Sequence, residues 1–247
     1  MRRIRITVAY DGTEFNGWQV QPGLPTVQGW LETVVSEIEG TEVQVHGSGR
    51  TDAGVHALAQ VAAFSLNNPI PCDNLRKAIN RLLPRSIRVT SVEESGADFH
   101  PRFQAKAKTY EYRIWREEIC PPMRRLYVCC HPYPLDEAAL FDAAVLLEGE
   151  HDFTAFSASD EKDELGGSKV RCIFSSRAWR EGGELVYRVR GSGFLKHMVR
   201  MMMGTLVEVG KGNLTRDDLL ARLEPGFAGK AGPAMPASGL CLMSVEY

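Results

Sequence analysis

TVQGWLETVVSEIEG, Thr26 to Gly40, sets Val27, Trp30, Leu31, Val34, Val35 and Ile38 at helical spacing, with Thr26 placed as N-cap and Gly40 as stop. Ahead of it, RIRITVAY (Arg3–Tyr10) alternates Ile4, Ile6 and Val8, the pattern of a half-buried strand. Behind it come a short strand at about Glu42–Val45, another near Leu58–Leu66, a helix in NLRKAINRLL ended by Pro84, and a strand in SIRVTSVEE. The helix thus sits in the order β-α-β-β-α-β.

The second half repeats that order. A strand across Lys106–Trp115 leads through a helix in DEAALFDAAVLLEG to KVRCIFSSRAWR and ELVYRVR, two strands joined at Glu181-Gly182-Gly183. A helix from about Phe194 to Glu208, a shorter one in LTRDDLLARLE and the strand GLCLMSVEY complete it. The fold class expected is α+β: two ferredoxin-like or RRM-like halves, 1–100 and 101–247, each with helices on one face of an antiparallel sheet. A cleft between two such halves is a natural active site.

At 247 residues and 44% hydrophobic composition the chain can bury a substantial core. It has no run of ~18 apolar residues, and its start alternates too strictly for a signal peptide, so a cytoplasmic protein is expected. Six cysteines form no C-x-x-C pair and meet no histidine at zinc-ligand spacing, which signals neither a disulfide framework nor a structural metal. A net charge of -2 does not suggest a polyanionic partner. Its distribution leaves that open: FHPRFQAKAKTYEYRIWR (Phe99–Arg116) carries five Lys/Arg against Glu111 alone, interleaved with five aromatics, which is the composition of a single-stranded nucleic-acid surface or of an amphipathic strand with its charges in water.

GSGRTDAGVHA (Gly47–Ala57) places Arg50, Asp52 and His56 among residues too small to pack. Such a stretch reads as an ordinary turn, or as a loop that lets another molecule come close to Asp52. In GSGFLKHMVRMMMGTLVEVG, Lys196, His197, Arg200, Gly204 and Glu208 fall opposite an apolar arc. That stripe is either the solvent face of the helix or the wall of a cleft. Facing a cleft, Arg200 would need a carboxylate, with Asp52 as candidate partner.

RTDAGVHA (Arg50–Ala57) resembles the TruA family of tRNA pseudouridine synthases. The resemblance extends along the chain in the family's order: YDGTEFNGWQVQPGLPTVQGWLE (Tyr10–Glu32), KTYEYRI (Lys108–Ile114), GEHDFTAFS (Gly149–Ser157), GFLKHMVRMMMG (Gly193–Gly204) and GLCLMSVEY (Gly239–Tyr247). Two small departures, Met235 and the His197-Met198 pair, touch no position given a catalytic role. The resemblance implies Asp52 as catalytic aspartate and Tyr110 as the aromatic that stacks on the uracil and helps remove a proton. Arg200 becomes the partner of Asp52, and Arg50 the side chain that fills the space left by the flipped nucleotide. It further implies uridines 38, 39 and 40 of the tRNA anticodon arm as targets, a homodimer, and neither cofactor nor metal.

The chemistry suits these residues. Pseudouridine formation breaks the N1–C1′ bond and rejoins uracil to the same ribose through C5, so nothing is oxidised and no cofactor is needed. An aspartate is ionised at neutral pH and needs no activating histidine, and three routes stay open to it: attack at C1′, addition to the uracil ring, or removal of a ribose proton. His56 therefore reads as structural. Flipping a base costs a few kcal/mol, and stacking on an aromatic such as Tyr110 returns ~1–3 kcal/mol. Lys196, Arg102, Lys106 and Lys108 read as phosphate contacts. The competing readings are a non-catalytic RNA-binding protein with two RRM-like halves, against which no RNP-type run is present, and a hydrolase with paired carboxylates, against which the motif offers no second acid.

Overall fold

The computed structural model describes residues 1–158 and 167–247. In chain order the strands and α-helices are β1 (Arg2–Tyr10), α1 (Val27–Glu39), β2 (His46–Gly47), β3 (His56–Leu66), α2 (Cys72–Leu82), β4 (Ile87–Glu94), β5 (Ala107–Trp115), β6 (Cys129–Cys130), α3 (Glu137–Val145), β7 (Gly149–Asp152), β8 (Val170–Glu181), β9 (Glu184–Gly191), α4 (Met198–Gly210), α5 (Arg216–Ala221) and β10 (Leu240–Glu246). The protein is α+β. Among the described residues no helix is long and apolar enough to cross a membrane.

The contacts divide the chain into one unit of Met1–Lys106 with Cys241–Tyr247, and a second of Ala107–Leu240. The final strand, which element order alone groups with the second half, belongs to the first, where Cys241 and Leu242 pair parallel with His56 and Ala57 of β3.

In the first unit β1 lies between β4 and β3, antiparallel to both, and β2 pairs with β3. That order is the split βαβ arrangement. Ile4, Ile6, Val8 and Tyr10 are buried on alternate positions as their spacing predicts. Thr26 caps α1 by accepting the Gly29 amide, and Gly40 ends it in the left-handed conformation (φ 81°). Val27, Leu31, Val34 and Val35 of α1 and Leu75 and Ile79 of α2 are buried.

The strand expected at Glu42–Val45 is instead displaced to His46–Gly47. Side chains of α1 satisfy the earlier backbone: Ser36 accepts the Val43 amide, Glu32 accepts the Val45 amide, and Gln28 donates to the Val45 carbonyl, at 2.9–3.0 Å. No ladder is then needed there.

In the second unit β5, β9, β8 and β7 pair in that order, all antiparallel, and the two-residue β6 runs parallel to β5. Tyr112 and Tyr187 face each other across β5 and β9, both fully buried. Glu111, on the opposite face, is buried between Arg113 (2.6 Å) and Arg188 (2.5 Å).

Candidate active site

Asp52 lies in a turn closed by the Val55 amide donating to its carbonyl at 3.1 Å, with Gly54 at φ 78°. The chain between β1 and α1 clamps this turn. The Thr51 carbonyl accepts the Trp18 amide at 3.1 Å, the Gly54 amide donates to the Phe15 carbonyl at 3.3 Å, and the Thr51 hydroxyl meets the Tyr10 hydroxyl at 2.8 Å. Burial pushes the Tyr10 phenol above its ordinary pKa, so it stays a neutral hydroxyl. Ser48 donates to Gln60 Oε1 at 2.5 Å while Gln60 Nε2 donates to the Gly49 carbonyl at 2.9 Å.

Two glycines permit that clamp. A methyl group on Gly12 would fall 2.0 Å from the Val55 carbonyl oxygen, and one on Gly17 (φ 84°) would fall 2.4 Å from that of Thr51. The small residues thus admit the chain's own backbone, while Asp52 is half-buried and Arg50 exposed. His56 is buried; its Nδ1 accepts the Gly12 amide at 3.0 Å and lies 3.2 Å from Asp11 Oδ1. It has the structural surroundings expected of it.

In the second unit Tyr110 stands on β5 opposite Val189, 8% exposed, its ring meeting that of Phe194 edge-on at 5.1 Å. Phe194, read from spacing as a helical core residue, lies instead in the connection before α4. The helix begins at Met198, because His197 takes a left-handed conformation (φ 62°) that breaks the spiral ahead of it. Lys196 and His197 are accordingly not part of a helical stripe. Lys196 is exposed, and its carbonyl accepts the Ala158 amide at 3.1 Å.

The remaining stripe is not a solvent face either. A methyl on Gly204 would fall 1.8 Å from the Pro233 carbonyl oxygen, and one on Gly232 would fall 2.7 Å from Thr205 Oγ1. Arg200 Nε donates to the Met235 carbonyl at 2.6 Å, and the Met235 amide donates to the Arg200 carbonyl at 3.2 Å. The chain's own segment around Ala231–Met235 therefore covers this side of α4. Nothing in the local periodicity announces that cover; a glycine one turn after an arginine announces only that something comes close.

The basic stretch divides by role. Arg113 is held by Glu111, Glu184 and Glu181, and Arg116 by Glu137 and the His131 carbonyl. Arg102 and Lys106 are exposed and Lys108 is half-buried. Sequence reading missed Tyr10, Trp18 and Phe194 as supports of the key residues, because each meets its partner through tertiary contact rather than spacing. No cluster of three or more metal-ligating side chains occurs among the described residues.

Two α+β units, one presenting an aspartate on a clamped loop and the other a tyrosine on a strand, with cations on both, fit the class of RNA-modifying enzymes. The family model described as tRNA pseudouridine synthase matches residues 6–104 and 143–247. The chain is 61% identical to tRNA pseudouridine synthase A of Solibacter usitatus, with all of both chains covered. It is 43% identical to the enzymes of that name from Geobacillus kaustophilus (all of this chain, 95% of the other) and Citrifermentans bemidjiense (all of this chain, 98% of the other). The chain belongs to the tRNA pseudouridine synthase family and is an isomerase.

Proposed function

We propose that the protein converts uridines 38, 39 and 40 in the anticodon arm of tRNA to pseudouridine, with Asp52 as the catalytic carboxylate. The target nucleotide leaves its stack and its uracil lies against Tyr110, which also helps remove the C5 proton. Arg50 fills the vacated space, and Arg200 pairs with Asp52. Lys196, Arg102, Lys106 and Lys108 hold phosphates. The N1–C1′ bond breaks, a C5–C1′ bond forms, the C5 proton passes to water and N1 takes up a proton from water, with neither cofactor nor metal. The working form is a cytoplasmic homodimer.

The observation that carries this reading is the clamped turn. It spends Thr51, Gly54 and Val55 on fixing the backbone and leaves Asp52 half-buried at the tip, as a positioned catalytic carboxylate requires.

The test is tRNA tritiated at C5 of uridine, with label released to water as the readout. Wild-type protein releases it, and Asp52→Asn lowers release at least about a thousandfold while tRNA binding persists. Retained turnover in Asp52→Asn removes Asp52 from its role. Binding without release in the wild type favours the non-catalytic RNA-binding alternative. A monomeric mass by light scattering contradicts the dimer.

A further inference from the structure

After β4 the first unit folds a turn that raises one aromatic ring into solvent. Phe103 is 77% exposed, yet it is built in place: its ring stacks on the His100 imidazole with centroids 4.2 Å apart, and His100 lies 5.7 Å from His46 of β2. Three rings thus step outward from the sheet to Phe103. The amides of Arg102 and Phe103 point at His100 Nδ1 from 3.2 and 3.4 Å, and the Gln104 amide donates to the His100 carbonyl at 3.2 Å. A ring nitrogen that accepts amides carries no proton. Burial, with the charges of His46, Arg3 and Arg102, lowers the pKa of His100 and favours that neutral state.

The base of the turn is fastened independently. Arg3 Nε donates to the Phe99 carbonyl at 3.0 Å, and the Tyr247 hydroxyl donates to the Pro101 carbonyl at 2.8 Å. The Arg5 guanidinium packs over Phe99 and Tyr247 at 5.5 and 4.6 Å from their ring centroids. Only the outer end is open, and there the Arg102 guanidinium lies 5.9 Å from the Phe103 ring.

We propose that Phe103 is a stacking platform for an unpaired nucleobase of the tRNA other than the reacting uridine, with Arg102 on the adjoining phosphate. An exposed aromatic face stacked on a neighbouring ring, beside a cation, suits a base and its phosphate. His46, against which His100 rests, lies on β2, which runs straight into the Asp52 loop. The inference rests on the reading of the protein as an enzyme acting on tRNA.

The test is equilibrium tRNA binding and single-turnover tritium release with the full chain. Phe103→Ala and Phe103→Leu both raise the Kd by about five- to a hundredfold, the range of one lost base stack, with the rate at saturating tRNA unchanged. Phe103→Tyr stays within about twofold of wild type. A Leu variant that binds like wild type makes the contact simple apolar packing and overturns the platform, as does a Kd unmoved in Phe103→Ala. A mass change by light scattering in Phe103→Ala also overturns it, by making a second copy of the chain the occupant. Failure of the wild type to release tritium from tRNA overturns the underlying enzymatic reading instead, and is distinguishable because it does not depend on any Phe103 variant.

Discussion

The Asp52 loop and the helix bearing Arg200 both depend on glycines against which their own unit packs, but they hold these candidate side chains differently. In the loop, backbone amides and carbonyls with the buried Tyr10–Thr51 pair fix the turn. In α4, the Arg200 side chain and backbone themselves bind Met235, and the segment around Ala231–Met235 closes over the helix. Where scaffold and chemistry occupy different residues, a substitution can separate them. Where one arginine holds the scaffold and is also proposed to act in the chemistry, as at Arg200, it cannot.

The largest expected contrast uses Asp52. Asp52→Asn should lose at least about three orders of magnitude of turnover while its stability falls by no more than about 1 kcal/mol, since the change is isosteric and half-exposed and removes one charge of the proposed pair with Arg200. Chemical denaturation alongside tritium release checks both halves. A comparable loss of stability would show that the aspartate also holds the loop, and the contrast with Arg200 would disappear.

Next is Gly204→Ala. The added methyl, fixed to the helix backbone, would meet the Pro233 carbonyl oxygen at 1.8 Å, and that oxygen is itself backbone, so neither can simply rotate aside. A destabilisation of about 3 kcal/mol is expected from such overpacking. If urea denaturation finds the variant as stable as wild type, the cover over α4 yields easily and Arg200 is not clamped by it.

Arg200→Gln sits between these. It removes the Nε donor to Met235 and the charge together, so both turnover and stability should fall, the stability by about 1–2 kcal/mol. Tritium release and denaturation of the same preparation measure the two losses. Loss of turnover alone would mean that the Met235 contact contributes little and that Arg200 resembles Asp52 after all.

These differences follow what sequence can and cannot carry. The alternation of Ile4, Ile6 and Val8 and the capped period from Thr26 to Gly40 are local, and both appear in the fold as their spacing predicts. Residues 42–45 form no strand because side chains of α1 bind that backbone, a tertiary choice that β-propensity does not encode. The start of α4 was illegible for a backbone reason: nothing in Lys196-His197-Met198 signals a left-handed His197. Gly204 announced a close approach without naming Pro233. At the candidate site, residue types read equally well as an ordinary turn and it is the family resemblance that points to Asp52, whereas the Tyr10–Thr51 clamp joins positions 41 residues apart and leaves no trace in spacing.

That clamp gives the smallest and most discriminating test. Tyr10 is 4% exposed and Thr51 is 7% exposed, so their hydroxyls meet where water cannot readily replace either one. Tyr10→Phe should cost about 1 kcal/mol by leaving Thr51 Oγ1 without this partner, and Thr51→Val should cost a similar amount. Removing both together should cost less than the sum, with a coupling of about 1 kcal/mol in a double-mutant cycle of denaturation energies. The tritium assay adds the functional half: if the clamp positions Asp52, each variant slows release at saturating tRNA severalfold, whereas Phe at position 10 leaves tRNA affinity unchanged. Additive stability losses with full turnover would mean that the peptide hydrogen bonds at Trp18 and Gly54 suffice to hold the turn, and that the division of labour between backbone and side chain in this loop is sharper still.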